Sequence, residues 1–268
     1  MTNAEPTTGG RALGRGLDVL ERLVEANGPA TLAELTARAA LPKATVHRLL
    51  RVLQARGYAW QDEHGGYLPS YRLLALADRM QQSSALVRLA RPVMKALQAE
   101  VPETIHLAVR EGDIAIYAEK LEARRPYRMA SAVGWPFDLH SSAMGKSILA
   151  FLPADEASEL LERLSLRRHT QTTLTDRDAL DAELAETRAL GFALDDEEDE
   201  DEVRCVGAAV LDHNTYPIGG ICISAPTFQL SRERAVALGP DVVRAAREIS
   251  IALGADPQAL PSAYRLGG

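Results

Sequence analysis

Cysteine is scarce, with two in 268 residues, so no disulfide framework stands in for a hydrophobic core. No apolar run approaches the roughly 18 residues of a membrane-crossing helix. The opening MTNAEPTTGG lacks the basic-then-apolar order of a secretory leader, so the chain is expected to act in the cytoplasm. Collagen-like, rod-like coiled-coil, membrane-spanning and small secreted classes are thereby excluded. What is present is ordinary for a globular chain: 46% hydrophobic and 25% charged residues, with length for one large domain or two modest ones.

A further absence is local. The net charge is −7, yet no Asp or Glu occurs from Leu35 to Gln61, a window that holds Arg38, Lys43, His47, Arg48, Arg51 and Arg56. Residues 1–80 carry ten Arg and Lys against eight Asp and Glu, and the remainder carry twenty against twenty-nine. A basic segment on an otherwise acidic chain points to local contact with a polyanion. A helix with a merely solvated basic face would look the same by charge alone.

Periodicity narrows the choice. Residues 1–10 read as a disordered lead. Leu13, Leu17, Leu20 and Val24 lie at helical spacing over Arg11–Ala26, and Asn27-Gly28-Pro29 ends that helix. Thr31 with Glu34 forms a capping-box pattern for a second helix, which buries Leu32 and Leu35. Pro42 and Gly57 bracket a third, from Lys43 to about Arg56. In it Val46, Leu49, Leu50 and Leu53 form one apolar stripe. Ala44, His47, Arg48 and Arg51 repeat that spacing on another face, with Lys43 and Thr45 at the first turn. Tyr58–Trp60 and Gly66–Leu68 flank the turn signal Asp62-Glu63-His64-Gly65. Three short helices and a hairpin describe a winged helix-turn-helix. Its third helix is expected to enter the major groove, and hairpin 60–67 to touch the backbone or minor groove.

Helices are next expected at Tyr71–Gln82, Ala85–Glu100, Ala143–Phe151, Ala154–Leu164, Arg177–Leu190 and Arg232–Leu253. Strands are expected at Thr104–Arg110, Ile114–Lys120, Tyr127–Ser131, Val203–Leu211 and Ile218–Ser224. Hairpin-like strand pairs among helices indicate an α+β domain. The chemical motifs are mostly negative. His106, His140, His169 and His213 are too scattered for zinc. His140 beside Ser141 and Ser142 is a poor hydrolase pair, because adjacent residues rarely meet as base and nucleophile. Gly145-Lys146-Ser147 has His140 where a phosphate loop needs its first glycine. No catalytic residue, metal or cofactor is expected. The acid run Asp195–Glu202 reads as a solvated loop that repels DNA, and Cys205 and Cys222 as small buried apolar side chains or ligand contacts.

These residues together resemble the IclR family of bacterial transcription regulators. The resemblance is carried by Arg15-Gly-Leu-Asp-Val-Leu, LPKATVHRLLRVLQARGY (41–58), LHSSAMGKSILAFLP (139–153), TLTDRDALDAELAETRALGFALDDEE (173–198) and AAREISIALG (245–254). It implies a winged helix-turn-helix (11–70), a linker helix (71–84), a GAF-like effector-binding domain (85–256) and a tail (257–268). It also implies a homodimer or dimer of dimers on a near-palindromic double-stranded operator, with DNA contacts from Arg15, Thr31, Lys43, Ala44, Thr45, His47, Arg48 and Arg51. A small organic or aromatic acid is the implied effector, lying against Met129, Trp135, His140, Ala143, Met144, Asp195, Cys205, Cys222 and Ser224. Ala143 and Met144 would offer helix-start amides to its anionic group. The chain departs from the family pattern at Glu202-Val203, where glycine is common, and at Ala209, where proline is. The alternative reading is a cytoplasmic metabolite-binding enzyme with a helical dimerisation module.

Overall fold

A computed structural model describes residues 8–124 and 129–265. The chain divides into two compact units, Met1–Ser83 and Ser84–Gly268.

The first unit contains helices α1 (Thr8–Val24), α2 (Leu32–Ala39) and α3 (Lys43–Ala55), strands β1 (Ala59–Gln61) and β2 (Tyr67–Pro69), and helix α4 (Arg72–Ser83). Residues 1–7 of the expected disordered lead lie outside the described residues, and α1 already begins at Thr8. Its core face also differs from expectation. Val19 and Leu23 are fully buried, whereas Leu13, Leu17 and Val24 are exposed. The stripe that faces the unit's core passes through Gly16, where Leu49 packs close, rather than through the larger leucines. Thr31 forms the full capping box with Glu34. In α3, Val46 and Leu50 are buried and join Leu35, Ala59 and Tyr67 in a small core. The strands pair antiparallel, Trp60 opposite Leu68, and Tyr67 also bridges to Ala30. Asp62 closes the hairpin by accepting from the amides of His64 and Gly66, while Gly65 takes a φ of 84° that favours glycine.

The second unit is a six-stranded antiparallel sheet in the order β5-β4-β3-β8-β7-β6. The strands are β3 (Thr104–Glu111), β4 (Ile114–Leu121), β5 (Pro136–Asp138), β6 (Ala193–Asp196), β7 (Val203–Leu211) and β8 (Pro217–Pro226). Helices α5 (Ala85–Glu100), α6 (Ala143–Phe151), α7 (Ala154–Arg163), α8 (Arg177–Leu190), α9 (Arg232–Ala237), α10 (Gly239–Ala252) and α11 (Ser262–Arg265) complete it. Alternation along the strands divides the burial. Val206, Ala208, Val210, Ile221 and Ile223 pack with α5 and α10 in one core, and Ala108 and Cys222 pack with α6, α7 and α8 in another. The fold is α+β: a winged helix-turn-helix followed by a GAF-like domain.

Four local expectations are corrected. Of the strand expected at Tyr127–Ser131, Tyr127 and Arg128 lie outside the described residues, and Met129–Ser131 is a loop. The carbonyls of Met129 and Ser131 are taken by the Lys120 ammonium, each at 2.7 Å, instead of by a neighbouring strand. The strands β5 and β6 were not expected; they are too short and polar to show alternation. The helix expected over Arg232–Leu253 is two, because Pro240 lacks an amide hydrogen and the Phe192 ring crowds Gly239, 2.3 Å from where a Cβ would stand. The expected tail is anchored: Leu260 and Tyr264 are buried, and the Tyr264 hydroxyl donates to the Ala209 carbonyl at 2.6 Å.

Candidate functional site

Two sites emerge, one in each unit. On α3 the side opposite Val46 and Leu50 exposes Lys43, Ala44, His47, Arg48 and Arg51, with Thr45 half-buried. Pro42 leads the helix and offers no side-chain cap. Among the described residues Lys43, Arg48 and Arg51 form no ion pair, whereas Arg22 and Arg163 pair with Glu25 and Asp113. Unpaired guanidinium groups beside a helix start suit phosphate and base-edge contact. Arg15 is exposed on α1. Thr31 spends its hydroxyl on the cap, accepting from the Glu34 amide and donating to the Glu34 carboxylate. The hairpin tip carries Asp62 and Glu63 and neither Lys nor Arg, a poor surface for phosphate.

In the second unit a small cavity of about 30 Å³ opens where α6 begins against the sheet. Gly207 and Gly220 allow that approach: a Cβ on Gly207 would stand 3.0 Å from the Met144 nitrogen, and one on Gly220 3.1 Å from the Met144 Cβ. Ser142 caps α6 and satisfies the Gly145 amide. The amides of Ala143 and Met144 come before that of Lys146, the first to find an acceptor in the helix, at the Ser142 carbonyl, and both residues line the cavity. Seven of the nine residues expected around the effector line this one space: Met129, Ala143, Met144, Asp195, Cys205, Cys222 and Ser224. Strand register explains the grouping, since Asp195 lies opposite Cys205 and Cys205 opposite Ser224.

Two expected residues lie elsewhere. Trp135 is 56% exposed, and its backbone serves a turn before β5. His140 is buried, its Nε2 against the Arg167 carbonyl and its ring beside that of His169; burial holds it below the usual histidine range. Neither neighbouring serine bonds to it. Ser141 donates to Asp199 at 2.6 Å and Ser142 to the Asp138 carbonyl.

Other lining residues were not anticipated as site residues, among them His106, Tyr117, Ser131, Asp199 and Glu200. His106 sits opposite Cys222 in the β3–β8 register. Its Nε2 is 2.8 Å from the Ser131 hydroxyl and its Nδ1 3.2 Å from that of Ser224. Strand register sets His106 beside Cys222 and Ser224, and the loop tied down by Lys120 brings in Ser131; single-strand periodicity contains neither.

The acid run is not the solvated loop expected. Burial, then the charges of Asp199 and Glu198, raise the Asp195 carboxyl well above the usual range. Its Oδ1 accepts from the amides of Glu198 and Asp199. Glu198 meets the wholly buried Lys146 at 2.5 Å, Glu183 meets it at 3.2 Å, and Asp196 pairs with Arg204. The Cys205 thiol is pushed up by its hydrogen bond to Cys222, by burial and by the nearby Asp195. The cavity is thus bipolar: positive helix-start amides on one side, carboxyl groups and hydroxyls on the other.

Known proteins are similar to this chain over both units. The model of the IclR helix-turn-helix domain matches residues 12–63, and that of the bacterial transcriptional regulator IclR C-terminal domain matches residues 79–251. The transcriptional repressor IclR of Escherichia coli (strain K12) is 33% identical over 253 residues, which are 93% of this chain and 92% of that protein. The HTH-type transcriptional repressor AllR of Klebsiella pneumoniae is 32% identical over 252 residues, 94% of this chain and 93% of that one. Among solved structures, Thermotoga maritima IclR superposes with a TM-score of 0.82 at 29% identity, covering 91% of this chain and 99% of that one. An IclR homologue from Microbacterium hydrocarbonoxydans, complexed with 4-hydroxybenzoate, does so at 0.73 and 26% identity, covering 90% and 98%. Among the described residues no helix is long and apolar enough to cross a membrane. The relatives are named as regulators, which leaves the enzyme alternative unsupported, and the chain belongs to the IclR family of DNA-binding bacterial transcriptional regulators.

Proposed function

We propose that this protein is a cytoplasmic homodimeric repressor whose α3 helices read a near-palindromic operator and whose second unit senses a small carboxylate, aromatic acids included. The observation that carries the DNA contact is the acid-free face of Lys43, Thr45, His47, Arg48 and Arg51, with no ion pair among the described residues and a buried face behind it. For the effector, the Ala143 and Met144 amides suit a carboxylate. Ser131, Ser224 and His106 suit a second polar group, and Tyr117 and Met129 form the apolar wall. The homologue that holds 4-hydroxybenzoate supports this ligand class. Self-association is supported by Leu13, Leu17, Trp60, Tyr71 and Leu74, large apolar side chains exposed on the first unit.

Binding of effector and operator are linked only if the effector's affinity differs between two states, typically by about 5- to 150-fold. The test is fluorescence anisotropy of the full chain on the intergenic DNA upstream of its own gene and on a scrambled duplex. Operator binding is expected about a thousandfold tighter than the control at physiological salt, with a shift on adding 4-hydroxybenzoate, benzoate or short aliphatic carboxylates. Equal, weak binding to both duplexes sinks the operator reading. Specific binding that no carboxylate alters sinks the effector reading alone.

A further inference from the structure

Between α3 and the hairpin runs an open groove lined by His47, Arg51, Gln54, Ala55, Gln61 and Tyr67. Every polar side chain among them can donate a hydrogen bond, and none is a carboxylate. Gln61 gives one amide hydrogen to the Gly65 carbonyl at 2.8 Å, which leaves its second for the groove. Tyr67 is the most constrained. Its ring is 4% exposed, and its backbone exchanges hydrogen bonds with Ala30 in both directions, at 2.8 and 2.9 Å. Its hydroxyl makes no hydrogen bond within the described residues. The ring is enclosed, but the hydroxyl is not a buried atom; it opens to the groove and can donate there to a group that enters from outside. The hairpin tip offers the opposite chemistry, with Glu63 exposed and Asp62 committed to the turn amides.

We propose that the groove is a phosphate seat, in which Arg51, Gln54, Gln61 and the Tyr67 hydroxyl together hold one DNA backbone phosphate per α3. The proposal rests on the reading of α3 as the DNA-facing helix. It moves the hairpin's contribution from its acidic tip to its base. A phosphate held by a guanidinium and neutral donors fixes the helix's depth and angle in the major groove and reads no base itself. Tyr67 and Gln61 are then positioning residues that act through the docking of α3.

Tyr67→Phe is the sharp variant, since it keeps the buried ring and removes one oxygen. It is expected to lose about tenfold in affinity on operator and scrambled duplex alike, with melting temperature and salt slope unchanged. Arg51→Ala is expected to lose affinity and also flatten the salt slope by about one per α3, about two for the dimer. A methylphosphonate scan of the operator adds the second readout. In the parent protein, neutralising one phosphate in each half-site lowers affinity, and in Tyr67→Phe the loss at that same phosphate is smaller, because Arg51 still holds it but the tyrosine hydroxyl does not. Tyr67→Phe binding as tightly as the parent, or the two proteins giving identical methylphosphonate profiles, overturns the seat. Inorganic phosphate that raises the melting temperature of the parent but not of Tyr67→Phe, while both bind DNA equally, would make this a free-anion site and also overturns it. A parent chain that binds no duplex at all instead overturns the DNA reading on which the seat rests.

Discussion

At Asp195 the environment outweighs intrinsic chemistry. Burial, followed by the charges of Asp199 and Glu198, raises its carboxyl. A group whose folded-state value lies above its unfolded one contributes stability fully at pH below the ordinary carboxylate range. That contribution is lost as pH climbs through the raised value. Asp195→Asn keeps an acceptor for the Glu198 and Asp199 amides and removes the ionisation. The difference in melting temperature between variant and parent is therefore expected to be small near pH 4 and to grow in the variant's favour toward pH 8. A difference that stays level with pH would contradict it. Lys146 is the complementary case, a fully buried cation between Glu198 and Glu183. Lys146→Met leaves Glu198 buried without its cation and is expected to destabilise by about 3–5 kcal/mol, read by urea denaturation. Neither role was legible in the sequence, where an unbroken acid run looks like a solvated loop. What decides is β6 pairing with β7, which turns Asp195 inward.

Elements were legible where one periodicity dominates. The face of α3 with Val46 and Leu50, the bounds of α6, α8 and β7, and the capping box on Thr31 all follow from local pattern and cap chemistry. Where two patterns compete, local reading fails. Helix α1 carries a row of leucines and a parallel row through Gly16, Val19 and Leu23, and the second packs because glycine lets Leu49 approach. Very short elements fail for another reason: β5, β6 and α11 hold three or four residues each and owe their form to the partners they meet. The cavity of the second unit shows the same division. Ala143 and Met144 follow from a recognisable helix start, but His106 and Tyr117 enter through register alone. Helix α11 gives the prediction at this scale. Tyr264→Ala removes a buried ring that packs edge-on to Phe151 at 5.4 Å and also removes the bond to Ala209. It is expected to destabilise by about 3–5 kcal/mol, seen as a lower urea midpoint, whereas a merely terminal appendage would shift it hardly at all.

At the scale of the whole molecule the charge is divided as a DNA-binding sensor needs. The first 80 residues are slightly basic and the rest strongly acidic, so a duplex is drawn to one part of the chain and repelled by the other. That division was visible in composition alone, whereas assembly was not, because an exposed leucine in a sequence looks the same as a buried one. On α1, Leu13 is 66% and Leu17 51% exposed, a stripe with no partner inside its own unit. In the proposed homodimer a symmetric pair would cover such stripes on both copies at once, and a near-palindromic operator would need the two α3 helices roughly 34 Å apart, the spacing of successive major grooves. The double variant Leu13→Glu, Leu17→Glu places like charges in that contact. Sedimentation is expected to show a dimer for the parent and a monomer for the variant at micromolar concentration. Affinity for a full two-half-site operator should fall by more than tenfold, whereas affinity for a single half-site stays within about twofold, because the α3 face is untouched. A variant that remains dimeric would place self-association on another surface. Equal losses on both duplexes would mean that the substitutions had damaged the helix-turn-helix itself.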